Sequence, residues 1–181
     1  MNWAVFGLAL YLALAIERGL AGLLAIPDSV SGVSPSFVLI LVTWVALQAS
    51  SSTSLWAGLI AGLAVDLVAG ADSGGLVGAH ALGYALVAFA VLQMRGMVYR
   101  QSGLTLGVMT FLGGLFGHLA IVLVLSLRGM PLLPAEALAG WDTTDQLARR
   151  FAELIYTGVV ASILPLVLSR TLVWWGFPTK R

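Results

Sequence analysis

Long stretches of this chain carry no charge. No Asp, Glu, Lys or Arg occurs from Asn2 to Ile16, Ser29 to Val65, Ser73 to Met94, Gln101 to Leu127 or Leu154 to Ser169. An α-helix needs about 20 apolar residues to cross a hydrocarbon layer roughly 30 Å thick, and most of these windows are of that order. Composition points the same way. Of 181 residues 60% are hydrophobic and 9% charged, with a mean hydropathy of +1.00, whereas a soluble domain carries roughly 25% charged residues. So few charges cannot coat a water-soluble globule of this size. A net charge of +1 offers no footprint for nucleic acid. The absence of cysteine excludes a disulfide scaffold, a thiol catalyst and a cysteine zinc site.

The windows predict an all-α integral membrane protein with about six spans: Asn2 to Ile26, Pro35 to Ala49, Leu55 to Ala71, Gly75 to Met97, Gly103 to Leu127 and Phe151 to Trp175. The hydroxyl run Ser50 to Ser54 reads as a turn at headgroup level. Ser34-Pro35 reads as an N-cap followed by proline at the first helical position, and Pro165 predicts a kink in the sixth span. A transmembrane barrel would alternate apolar and polar residues, and Val38 to Val42 is apolar throughout. Ala13-Leu14-Ala15 has a small-x-small form, but no Lys or Arg precedes the apolar run, so the segment reads as a span and not a cleaved leader.

The spans form a single polytopic domain, 1–181, with a polar connection at 129–150 that reads as an interfacial segment. Asp142-Thr143-Thr144-Asp145 opens a helix there, with acids at its positive end. Six spans put both termini on one side. Arg95, Arg100, Arg170, Lys180 and Arg181 favour that side as the cytoplasm, and Trp174 and Trp175 suit an interfacial belt.

The third span carries the most informative pattern, Gly58, Gly62, Asp66 and Gly70 at intervals of four, which is one slowly drifting stripe on a helix. Glycine lets helices approach closely where lipid supplies no hydrophobic drive. The stripe therefore serves packing within the bundle or coupling to another chain. An acid inside a span costs about 2.5–3.5 kcal/mol at a helix centre, so Asp66 needs a partner. His80 and His118 are the candidates, and the pair reads as a structural bond, an ion or ligand site, or a coupling point. Glu17 and Arg18 read as interfacial. Gly113, Gly114 and Gly117 read as packing glycines. Two histidines and a distant carboxylate are no metal signature, no cofactor motif is present, and G-x-S-x-G, Walker and H-E-x-x-H motifs are missing. Catalytic, metal and cofactor residues are therefore none, and an enzyme is not expected.

From Pro27-Asp28 through Ser34-Pro35, Gly58-x3-Gly62-x3-Asp66-Leu67-x2-Gly70, Gly78, Ala81-Leu82 and Tyr84, the chain resembles the bacterial rod shape-determining protein MreD family. The resemblance covers Pro27 to Arg100. It implies a non-catalytic inner-membrane subunit of the elongation machinery, or elongasome, which makes peptidoglycan. Its implied partners are MreC first, then MreB and the RodA glycosyltransferase with its transpeptidase. The family's fold is similar to that of the membrane-embedded substrate-binding subunits of energy-coupling-factor vitamin transporters, which supplies an alternative function. That alternative would need polar groups such as Asp66, His80, His118, Trp56 or Tyr84 to converge on a pocket.

Overall fold

The computed structural model describes residues 1–19, 33–69, 77–97, 102–128 and 143–177. They form seven helices and, among the described residues, no strand: α1 Trp3–Gly19, α2 Phe37–Gln48, α3 Ser51–Ala69, α4 Ala79–Met94, α5 Gly103–Arg128, α6 Thr143–Ile163 and α7 Pro165–Trp175.

The centre of the bundle is α2. Its sequence, FVLILVTWVALQ, has no polar face, and a helix apolar all round must be surrounded. Every residue from Val38 to Leu47 is buried, and α2 touches α1, α3, α4, α5 and α6. Around it, α3 packs on α4, α4 on α5 and α5 on α6. The outer faces are apolar at helical spacing. Phe151, Ile155, Val159 and Ile163 of α6 are exposed, as are Leu82, Leu86 and Phe89 of α4, and Trp56, Ile60 and Leu63 of α3. Such a surface suits acyl chains and would be a liability in water. Ser51–Ala69 and Gly103–Val124 are long and apolar enough to cross a membrane.

A helix of 12 residues spans about 18 Å, little more than half of a hydrocarbon layer. The ends of α2 therefore need partners from the protein itself, and three neighbours supply them. At the N-terminus Ser36 Oγ accepts from Leu39 N at 3.3 Å, and Glu17 Oε2 of α1 accepts from Val38 N at 3.3 Å. Thr157 Oγ1 of α6 accepts from Ser36 N at 3.0 Å. At the C-terminus Arg95, which ends α4, donates Nη1 to Ala46 O at 3.1 Å and Ala49 O at 2.6 Å, and Nη2 to Ser51 Oγ at 3.3 Å. An acid at the positive end and a base at the negative end match the helix macrodipole.

Several sequence expectations change here. Ser36, not Ser34, caps α2. Val33 and Ser36 are buried in non-helical chain and Pro35 precedes the cap, so proline orients the approach and does not open the helix. The hydroxyl run is no loop: α3 begins at Ser51, and buried Ser54 donates to Ser50 O at 2.9 Å, spending its hydroxyl within its own first turn. Glu17 is not left to the interface, because the α2 terminus needs it. Pro165 interrupts the helix as expected: α6 ends at Ile163 and α7 begins at Pro165, with Leu164 between them still in the right-handed helical region, and α6 begins at Thr143, within the expected Asp142–Asp145 start. Trp175 is not in a belt but 2% exposed, with its ring 4.7 Å from that of Trp44, while Trp174 points outward. Asn2 N donates to Trp175 O at 2.8 Å, which brings the first and last helices together at one end of the bundle. Residues 20–32 and 129–142, including Pro27, Asp28 and most of the expected interfacial segment, lie outside the described residues.

Removing the guanidinium should loosen the α2 C-terminus. Arg95→Ala is expected to cost about 1–2 kcal/mol, read as a lower Tm in detergent. Arg95→Lys should recover only part of it, since an ammonium cannot fork between two carbonyls as a guanidinium does.

Candidate functional site

The small-residue face of α3 points inward. Ala57, Gly58, Ala61, Gly62 and Asp66 are all buried, and the helix they meet is α4. A Cβ on Gly58 would lie 2.5 Å from the Tyr84 carbonyl oxygen, and one on Gly62 would run into the His80 carbonyl and the Ala81 Cα. The two backbones are thus in contact along two turns. That closeness carries the next residue of the stripe to the end of α4.

The first turn of α4 has N–H groups that its own helix cannot satisfy. Its N-cap position is Gly78, at φ +115°, in the left-handed region that glycine alone enters without strain. Glycine has no side chain to cap with, and the cap comes from α3 instead. Asp66 Oδ2 accepts from Gly78 N at 2.8 Å and Ala81 N at 3.1 Å, and Asp66 Oδ1 accepts from His80 N at 3.2 Å. His80 Nδ1 lies 2.7 Å from Oδ1. Since both oxygens are already acceptors, the ring nitrogen brings the proton. A carboxylate has about four acceptor sites, and four donors occupy them. Asp66, 1% exposed, is therefore saturated. The arrangement holds two helices in register and leaves the carboxylate nothing with which to bind a further ion.

Beside it lies a second polar layer at the same end of the bundle. Ser36 Oγ and Tyr84 OH are 3.3 Å apart, and Ser36 also joins α6 through Thr157 and heads α2. The His80 and Tyr84 rings meet edge-on at 6.3 Å, so the layer continues to Asp66. His118 of α5 is buried in this region at 3% exposure, but the structure does not bring it to Asp66. Gly113 and Gly117 of α5 lie against Val87 and Val91 and, for Gly117, the Gly83 carbonyl of α4. Gly70 lies outside the described residues. No group of three His, Asp or Glu side chains fit to hold a metal occurs among the described residues.

Sequence reading did not single out Ser36, Thr157 or Arg95. Each pairs with a residue between 44 and 121 positions away, and no local pattern marks such partners. A signal for Ser36 was present: a small hydroxyl residue directly before an unbroken apolar run is a helix-start signal.

The family model for the rod shape-determining protein MreD matches residues 4–172, nearly the whole chain. The chain belongs to that family of shape-determining membrane proteins. No curated protein and no solved structure matches it.

The close approach and the saturated carboxylate predict an order of damage. Gly62→Ala should destabilise more than Gly83→Ala, because the new methyl meets main chain at residue 62 but the end of the Ile121 side chain at residue 83. Asp66→Asn keeps one acceptor oxygen and turns an NH2 toward N–H groups, at about 1–3 kcal/mol for each donor left unpaired. Thermal unfolding in detergent should rank wild type above Gly83→Ala, and both above Gly62→Ala and Asp66→Asn.

Proposed function

We propose that this member of the MreD family is a non-catalytic, multi-pass subunit of the bacterial inner membrane. It helps to organise peptidoglycan synthesis and cell shape by binding MreC, within reach of MreB and the RodA–transpeptidase pair. It crosses the membrane about six times with both termini in the cytoplasm. The family match over residues 4–172 carries this reading.

Two features support it. The strongest intramembrane polar group, Asp66, has its bonding capacity taken up by the fold. A carboxylate so occupied is a poor general base, since a base must reach the proton it takes. What the molecule offers outward is apolar helix surface, which is the material from which helix-to-helix assemblies in lipid are made. The bond between Asn2 and Trp175 supports termini on one side, and the C-terminal Lys180-Arg181 supports that side as the cytoplasm.

The test is co-purification. Tagged chain extracted in a mild detergent should retain MreC at near-stoichiometric yield. Gly62→Ala, which strikes the α3–α4 contact, should lower that yield only as far as it lowers the folded fraction. If folded chain, verified by its helical circular dichroism, returns without MreC from cells that contain it, the assignment fails.

A further inference from the structure

The last helix takes a direction that no membrane span requires. α4 ends at Arg95, beside the C-terminus of α2. α5 runs against α4, since Gly113 meets Val91 and Val87 while Gly117 meets Val87 and Gly83. α5 therefore begins, at Gly103, at the end of the bundle where α2 finishes. α6 returns to that end, because Ser162 and Pro165 lie against Gly103. With 21 residues α6 is about 31 Å long, enough to cross a bilayer by itself. Continued along the α6 axis, α7 would carry Trp175 about 15 Å past Gly103. Trp44, however, is buried inside the bundle, one turn before the end of α2. Its ring centroid is 4.7 Å from that of Trp175, and Asn2 N donates to Trp175 O at 2.8 Å. α7 thus leaves the α6 axis at Pro165 and crosses the end of the bundle, from the start of α5 to the start of α1. Its 11 residues, about 16 Å, are too few to span and lie along the membrane surface.

The two faces of α7 differ. Leu164, Leu168 and Leu172, four apart, pack on the core, and Trp175 continues that stripe while its Nε1 donates to Thr171 Oγ1 at 3.1 Å. Arg170 and Trp174, also four apart, are exposed on the other face. Among the described residues Arg170 has no hydrogen-bond or ion-pair partner. Charge is sorted between the two ends of the bundle as well. The described acids Glu17, Asp66, Asp145 and Glu153 stand where α1 and α3 finish and α6 begins. At the end that α7 crosses, the described residues include Arg95 and Arg170 and no acid. Arg95 is spent on the carbonyls of α2, which leaves Arg170. Contact with acyl chains would be costly for a guanidinium, whereas an anionic leaflet attracts bases at its surface.

We propose that α7 lies in the membrane plane at headgroup level and binds an anionic phospholipid there. The Arg170 guanidinium forks onto the phosphodiester, and Trp174 seats beside it at the boundary between headgroups and acyl chains. The proposal rests on the membrane placement of the chain. It is independent of MreC binding and of which side the termini occupy.

The chain has no cysteine, so full-length Trp174→Cys carries a single nitroxide label. In nanodiscs, relaxation by oxygen and by a water-soluble nickel chelate should place the label at headgroup level. A label at hydrocarbon depth, in free water, or shielded from both relaxants as under a protein cover overturns the proposal. Unlabelled wild type is then released from nanodiscs of equal phosphatidylglycerol and phosphatidylcholine into native mass spectrometry. It should retain phosphatidylglycerol about fivefold over phosphatidylcholine, the contribution of one arginine at an anionic surface. Arg170→Gln should bring the two lipids close to parity and Arg170→Glu should favour phosphatidylcholine, while Arg18→Gln, at the opposite end, should leave the preference unchanged. Equal retention by wild type overturns the proposal, as does a full preference kept in both Arg170 variants. Depth and wild-type preference are read without any change at Arg170, so a variant that fails to fold does not rescue it.

Discussion

A helix buried in lipid must have both of its ends satisfied by something, and here the central helix is too short to reach water. The rest of the structure is organised by that requirement. α2 takes an acceptor from α1 at Glu17, one from α6 at Thr157 and a forked donor from α4 at Arg95, so three outer helices are tied to it by groups it cannot do without. Removing α2's apolar completeness would relax the packing demand, but then the helix would not sit at the centre. Its hydrophobicity and its need for borrowed caps are two consequences of one choice of sequence.

The same logic repeats one layer out. α4 begins at a glycine that lacks a capping side chain, and α3 ends near an acid that lacks a local partner. Each defect is the other's remedy, provided the two backbones come close enough. Gly58 and Gly62 provide the closeness, and the three residues act as one device. The glycines alone would give a tight but sliding contact. The carboxylate, receiving bonds from Gly78, His80 and Ala81, fixes how far along α4 the contact sits. At the far end of α4, Arg95 does the converse service for α2, so α4 is pinned by an acid at one terminus and pins with a base at the other.

How much of this could be read from residues alone depends on the range of the interaction. The helices were legible because charge-free windows and helical apolar content are local, and the stripe from Gly58 to Asp66 was legible because its period is local. The break at Pro165 follows from the missing N–H of one residue. The caps that other helices lend to α2 were not legible: Glu17 binds 21 positions away and Arg95 more than 40. In isolation each looks like an interfacial charge. Ser51 to Ser54 misled for a related reason. Hydroxyl residues favour both turns and helix starts, and burial beside Val45, a tertiary fact, decided for the helix.

The polar centre at Asp66 carries the same requirement to completion. Around Asp66 the count of donors equals the count of acceptor sites, so the centre is closed and any added ligand would have to break a bond that holds two helices. The closed centre is architecture: its carboxylate is consumed in fixing where α3 meets α4.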